Sequence, residues 1–532
     1  MTSGPTAAAI LALALSAVLT PPPAAAQTTG EARLSDDWAG WIYLDQGGDL
    51  PVRARLGNDS ALLDLPHLSR FGLPARVVEG GPGLRLDVDL DGTSILLVAP
   101  SREGVTIKGR VRIGDSTEGD FWLHRSALEL DRGDPEPRTA CTGSYRFPDG
   151  RKVTVFARGW NELRYFDGAT GRQGTLFATS DSTFFTGEAE YVPTVVTGSV
   201  LCRRDGTGGV LGWSEPEGDW SWGEPAGFRE RELRFESEGA ELVGTVLLPP
   251  GEGPFRAAVT LGGSNWTTRA SIRDESESLA SNGVAVLIFD KRGHGESGGD
   301  QTVPFATIAA DARSGAEALR SLPEIRDDAV GVFGRSRGGW PAPLATAGSS
   351  AFAFVVLFVP SGRTPAEQET YRRLAVLEDA GATPAALRKA KRYLDLMYSW
   401  LRTGEGWEAY EAALWELSDA EFSVLGGSDT PDPSSWEWNQ LNAHFDPFPY
   451  WEHVRIPVLA IFGEDDRSVE TSVSLPRISA ALARGGNSEV TLLAIPGVGH
   501  SLRTGLGPQL HLSTGYAQEV WPTVREWLAR IH

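Results

Sequence analysis

After about residue 230 the hydrophobic residues of this chain change their spacing, and that change constrains the fold more than any other feature of the sequence. Short runs rich in Val, Ile, Leu, Ala and Phe lie at 242–248, 257–261, 284–290, 329–333, 352–358, 458–462 and 490–495. They alternate with longer amphipathic stretches such as 305–322 and 515–531. Several of the short runs are apolar along their whole length. Such strands leave no face for water, which is the signature of a parallel sheet covered on both sides. Parallel neighbours need crossovers, and right-handed crossovers through helices cover both faces. The pattern therefore predicts an α/β region with a mostly parallel, doubly wound sheet. One interval, between Phe358 and Ile456, is too long for a simple crossover. It reads as helices at 365–380, 385–401 and 406–417, with Trp400, Trp407, Trp415, Trp436, Trp438 and Trp451 spread through it. We expect an inserted helical cap over the C-terminal edge of the sheet, most of these rings packing the cap and a few lining a pocket.

Upstream the period is two. Leu84, Leu86, Val88 and Leu90 alternate with Arg85, Asp87 and Asp89, and Val105, Ile107, Val111 and Ile113 keep the same spacing around Gly109. Successive side chains on a strand point to opposite faces, so these runs set one face on a core and the other in water. A charged stretch with two prolines, 131–138, leads to a second strand-rich region with turn signals at Pro148-Asp149-Gly150 and Asp167-Gly168. Trp213, Trp220 and Trp222 near its end are read as packing residues. The expected organisation is a targeting segment at 1–26, small antiparallel β domains at 27–135 and 136–228, and the α/β domain at 229–532 with its cap at about 361–452. Asp87-Val88-Asp89-Leu90-Asp91-Gly92 matches the opening of a calcium-binding loop. Val98 stands where the bidentate Glu belongs, and the flanks alternate like strands, so no metal is expected there.

Charge and the chain's beginning narrow the partners. A formal net charge of -21 argues against binding phosphate backbones or anionic lipid surfaces. Residues 7–19 are almost all Ala, Leu, Ile and Val, followed by Pro21-Pro22-Pro23 and Ala24-Ala25-Ala26 before Gln27. This reads as a signal peptide, with an apolar run too short to span a bilayer. Export would carry Cys141 and Cys202 into an oxidising compartment, periplasmic or extracellular, where an even pair usually bonds; the alternative is two buried free thiols. Neither has the neighbours of a metal site.

Two copies of G-x-S-x-G compete as the centre of a reaction, Gly295-Glu296-Ser297-Gly298-Gly299 and Gly334-Arg335-Ser336-Arg337-Gly338. A nucleophilic serine on such a turn needs a strand before it, a helix after it and small neighbours that allow a strained backbone. Ser336 follows the apolar run 329–333 and precedes a stretch that can turn helical, with Pro341 and Pro343 tolerable only near its start. Ser297 lies in a glycine-rich loop, so Ser336 is the candidate nucleophile. A serine hydroxyl needs an adjacent base and an orienting carboxylate, in the chain order Ser, acid, His. Of the histidines after Ser336, His500 sits in a loop just after the run 490–495, at the edge where such sheets meet ligands. The acid is expected in Gly463-Glu464-Asp465-Asp466, with Asp466 chosen and Asp465 next. Backbone amides to stabilise an oxyanion would come from Arg337 and from the loop Gly262-Gly263-Ser264, with Ser264 preferred over Gly263. Arg335 and Arg337 flank the serine; they are read mainly as members of structural ion pairs, the alternative being selection of an acidic substrate.

Together these segments resemble the α/β-hydrolase superfamily, and most closely its prolyl-oligopeptidase-like, dienelactone-hydrolase-like and acyl-thioesterase-like branch. Asp290-Lys291-Arg292-Gly293-His294-Gly295-Glu296-Ser297 resembles that branch's D-x-R-G-x-G-x-S loop, which makes Ser297 part of loop structure. Ser336-Arg337-Gly338-Gly339 resembles its S-x-G-G, and Gly463 through Val469 its acid turn G-x-x-D-x-x-V, in favour of Asp466. Many relatives have His-Gly where this chain has Gly262-Gly263, and the oligopeptidase propeller is missing. The resemblance implies an α/β-hydrolase fold and a cofactor-free serine hydrolase acting on a small-molecule ester. A serine peptidase acting on short acyl-peptides is the alternative, and a non-catalytic binding protein the more distant one.

Overall fold

The period-two segments close on themselves. In the computed structural model, which describes residues 35–531 apart from short internal segments, the longest being 418–432 and 505–514, eight strands from Asp37–Leu44 to Thr117–Arg125 form an antiparallel barrel. Its first strand pairs with both the second and the eighth, so no edge is left open. Leu84, Leu86 and Val88 point into the barrel and are buried, while Arg85 and Asp89 face water, as the alternation requires. Val105 departs from the pattern: it lies in the bend before the strand Thr106–Ile113 and is exposed. The calcium-like hexapeptide is the hairpin between Leu84–Leu90 and Thr93–Ala99, where Asp89 accepts the Gly92 N–H and Asp87 meets Arg76 and Ser94. The signal-peptide expectation concerns residues 1–26, which lie outside the described residues.

A second closed barrel of eight strands follows, from Gly143–Arg146 to Ser221–Pro225. Cys141, on a short 3-10 helix, is bonded to Cys202 on the strand Gly198–Asp205, and both are buried in the barrel core with Tyr145, Phe147, Val155 and Trp213. Trp220 and Trp222 stack on one another outside that core. The first barrel touches the second through an Arg53–Glu162 ion pair and Trp41 against Tyr191. The second leans on the α/β region through Phe166 against Trp521 and Lys152 Nζ on the Ser281 carbonyl.

The remainder has the predicted doubly wound architecture. Eight strands run in the order Arg229–Ser237, Ala240–Leu248, Val284–Phe289, Phe255–Leu261, Ile325–Arg335, Val355–Phe358, Val458–Gly463, Val490–Ile495. The first strand forms an antiparallel hairpin with the second and escapes the all-apolar pattern because it is an edge with an exposed, charged face. From Val284–Phe289 onward all pairings are parallel. The two faces carry separate cores: Ala309, Ala312, Ala316 and Ile478 lie in one, and Leu279, Val520, Trp521 and Val524 in the other. Between Val355–Phe358 and Val458–Gly463 the chain leaves the sheet for the helices Pro365–Asp379, Pro384–Thr403, Trp407–Trp415 and Pro433–Asn442. Pro365 and Pro384 each occupy the first helical position after a threonine cap, where proline's missing N–H costs nothing. Trp400 meets Trp407 and Trp436 within the cap, whereas Trp415 is exposed. Among the described residues no helix is long and apolar enough to cross a membrane.

The disulfide ties together residues separated by 61 positions. Confining an unfolded chain in this way is worth roughly 2–4 kcal/mol. The double variant Cys141→Ala/Cys202→Ala is therefore expected to unfold several degrees lower in a calorimetric scan of non-reduced protein. An unchanged midpoint would mean the cross-link carries none of the barrel's stability.

Candidate active site

The strand Ile325–Arg335, inside the sheet, ends at Ser336, where the chain turns into a 3-10 helix, Ser336–Gly339, and then the short helix Pro341–Thr346. Pro341 stands at its start, as the sequence requires. Ser336 has φ of 50°, a left-handed conformation that costs a side-chain-bearing residue about 1–3 kcal/mol and persists only where its surroundings impose it. The imposing contact is close at hand. A Cβ on Gly338 would sit 2.0 Å from the Leu261 carbonyl oxygen, so only glycine lets the turn pack on the end of the neighbouring strand.

Two further strand ends converge on this turn. After Val458–Gly463 the loop brings Asp466 into a buried position, whereas Glu464 and Asp465 remain exposed. Asp466 Oδ1 accepts the N–H groups of Ser468 and Val469 at 2.7 and 2.8 Å, which leaves Oδ2 for the Nδ1 of His500 at 2.8 Å. After Val490–Ile495 the next loop carries His500, whose Nε2 stands 3.0 Å from Ser336 Oγ. An ionised carboxylate only accepts, so Nδ1 carries the ring proton and Nε2 of the neutral ring is free to accept from the hydroxyl. The two loops touch at Gly463, where a Cβ would meet the Val498 carbonyl oxygen at 2.2 Å. This geometry can pass a proton from the Ser336 hydroxyl to a ring held in one tautomer.

Ser297, the competing serine, is committed elsewhere. Its hydroxyl donates to the Asp290 carbonyl and accepts the Val243 N–H, while Asp290 accepts the Arg269 and Glu296 amides. The hydroxyl is a brace of its loop. The remaining histidines described after Ser336 bond backbone carbonyls, His444 that of Tyr398 and His453 that of Pro449.

Arg335 behaves as the ion-pair expectation has it. Its guanidinium donates to Glu275 at 2.7 Å and to the carbonyl of His500 at 2.9 Å, and Tyr516 donates to the same Glu275 oxygen. The strand bearing the serine is thereby tied to the loop bearing the histidine. Arg337 corrects that expectation: among the described residues it faces no carboxylate, and its guanidinium lies 4.3 Å from the ring centre of Trp438 in the cap. Burial pulls its pKa down to about 10.

Beside Ser336 lies a cavity of about 370 Å³. Leu261, Ile272, Phe289, Phe305 and Trp438 form apolar parts of its wall, and Gly262, Ser264, Lys291 and Arg337 supply polar ones. The Gly263 backbone rests against Ser336, a Cβ there falling 3.8 Å from that of the serine, and the Gly263 carbonyl accepts Lys291 Nζ at 2.6 Å. Burial, reinforced by the nearby Arg337 charge, pushes the Lys291 ammonium down to about 7. The cap is fastened to the acid loop, Tyr371 donating to the Asp466 carbonyl and Arg467 pairing with Glu378 and Asp379.

Residues 246–505 match the family model described as Alpha/beta hydrolase family. The C-terminal part of the chain thus has an α/β-hydrolase fold. It is 24% identical over 323 residues to the esterase EstD of Thermotoga maritima, an alignment covering 58% of this chain and 69% of that protein. It is also 38% identical over 98 residues to the 2,6-dihydropseudooxynicotine hydrolase of Paenarthrobacter nicotinovorans, covering 18% of this chain. The match spans 25% of the length of that relative. A solved structure of the Pyrococcus furiosus esterase Pf2001 aligns over 57% of this chain and 91% of its own, with 20% identity and a TM-score of 0.37.

Glu275, Tyr516, Tyr371 and Trp438 were not singled out individually from sequence as site residues, because what recruits them is tertiary contact. Lys291 lies directly after the strand Val284–Phe289 and Asp290, at the edge already chosen for His500, and that position is the signal that marks it. Removing Arg335 would leave Glu275 charged and buried, a loss that typically costs about 3–5 kcal/mol. Arg335→Met is expected to lower stability to urea by that amount; an unchanged denaturation curve would show that the pair contributes nothing.

Proposed function

We propose that the protein is a serine hydrolase that cleaves carboxylic esters through Ser336, His500 and Asp466. The observation that carries the reading is the unbroken contact from Asp466 Oδ2 through the His500 ring to Ser336 Oγ, at 2.8 and 3.0 Å, on a serine held at positive φ. In this reading His500 takes the hydroxyl proton as Ser336 Oγ attacks the acyl carbonyl, and Asp466 keeps the ring oriented and stabilises its cationic form. The amide of Arg337 and that of Ser264, with Gly263 next, face the developing oxyanion. His500 then protonates the leaving alcohol, and a water activated by the same ring releases the acyl group from Ser336. No step calls for a cofactor.

The kinship with an esterase and a second hydrolase supports hydrolysis, and the cavity favours esters over peptides. A peptidase that held a free substrate amine would call for carboxylates in the pocket. Here the charged wall is mainly basic, and the lining Asp311 is already paired with Arg292 at 2.5 Å. The reading includes export, periplasmic or extracellular, supported by the buried disulfide and by the leader-like beginning of the sequence. It also assigns the reaction to residues 229–532, with a cap at about 361–452.

The mature protein is expected to hydrolyse p-nitrophenyl butyrate with a kcat/KM far above that for aminoacyl p-nitroanilides. Ser336→Ala should lower kcat by roughly four to six orders of magnitude. Faster release from the anilides would replace the esterase reading with a peptidase one, and undiminished turnover by Ser336→Ala would remove the serine from the chemistry.

A further inference from the structure

Lys291 and Arg337 form an unusual pair of neighbours. The chain carries a formal net charge of -21, and most of its described arginines find a carboxylate. These two cations line the same cavity beside Ser336, and among the described residues neither meets a carboxylate. Arg337 lies over the Trp438 ring, and Lys291 has the Gly263 carbonyl as its hydrogen-bond acceptor. Lys291 also feels its neighbour, since the Arg337 charge helps to depress it.

Holding two like charges together out of water is unfavourable. Arg335, one residue before the serine, is neutralised by Glu275, and Arg292, one residue after Lys291, by Asp311. Both structural arginines of these segments are paired; of the three Lys and Arg side chains lining the cavity, Arg292 is held by Asp311, and Lys291 and Arg337 are the two left over. A ligand anion would relieve both at once: it would accept from the planar guanidinium and from the ammonium while its carbon chain lay along Leu261, Ile272, Phe289 and Phe305.

We infer that this cavity is an anion-recognising subsite and that the ester cleaved at Ser336 carries a carboxylate, received by Arg337 and Lys291. The inference rests on the proposed esterase reading and adds the chemical class of the substrate. The carboxylate selects the substrate, while the apolar wall accepts the carbon chain between it and the ester. Trp438 contributes by holding the guanidinium in place from the cap, so the cap takes part in recognition.

The test compares each acidic ester with its methyl-capped neutral twin. One arm puts the carboxylate on the acyl side, as mono-p-nitrophenyl adipate against p-nitrophenyl methyl adipate. The other puts it on the alcohol side, as 4-acetoxybenzoate against methyl 4-acetoxybenzoate. In at least one arm the acidic ester is expected to show a kcat/KM about tenfold to a hundredfold higher, the scale of one or two charge-assisted contacts. In Arg337→Gln and in Lys291→Met that ratio should collapse towards one. The ratio is taken within each variant, and turnover of the neutral twin reports that the variant is folded. Binding of adipate and 4-acetoxybenzoate to Ser336→Ala, followed by calorimetry, should show the same selectivity without turnover and lose it when Arg337→Gln is added. Equal rates for acidic and neutral esters in both arms, with the neutral esters cleaved by Ser336, would overturn the subsite and leave the esterase reading intact. A preference that survives in both variants would overturn it equally. Selective carboxylate binding without hydrolysis of any ester would do the reverse, keeping the subsite and ending the esterase reading.

Discussion

The left-handed backbone at Ser336 is the constraint on which the rest of the site depends. An extended chain would carry the serine on along the strand; the turn instead lifts its hydroxyl to the rim of the sheet, 3.0 Å from His500. That conformation is unfavourable in isolation, so it has to be over-determined. The close seat of Gly338 on the Leu261 carbonyl fixes one side of the turn, and the Arg335 bonds to Glu275 and to the His500 carbonyl fix the other. The latter bond matters twice, because the side chain that ends the serine's strand also holds the loop that bears the proposed base.

The same economy of position runs through the neighbouring loops. One oxygen of Asp466 is spent on two backbone amides, which rotates the other towards the imidazole. Gly463 allows the acid and histidine loops to touch, and Tyr371 anchors the cap to the acid loop from above. The second of the two barrels also borders this arrangement. It packs on the helix Arg273–Ser281 and on Trp521, elements that also surround Glu275 and Tyr516.

Much of the α/β region was legible because its strands are covered on both faces, so the sequence reads as apolar runs whose ends mark where loops meet. That is why the candidate serine, acid turn and histidine were each chosen from a run and the loop following it. The edge strand Arg229–Ser237 was not, since its outward face is charged and carries no apolar run. The upstream alternation announced antiparallel strands but not closure into barrels, because closure depends on which strand pairs with the first, and a period of two is silent about partners. Arg337 was misread for a related reason. Sequence shows that an arginine stands beside the serine, whereas only packing shows that Glu275 is taken by Arg335 and that the cap offers Arg337 a tryptophan.

The central claim is that the hydroxyl at position 336 is made nucleophilic by the ring at position 500. Covalent capture by a fluorophosphonate, located by mass spectrometry of the digested protein, tests it most directly. The account predicts one adduct, on the peptide containing Ser336, forming far more slowly in His500→Ala. An adduct on the peptide containing Ser297, or capture at Ser336 at an undiminished rate without the imidazole, would contradict it.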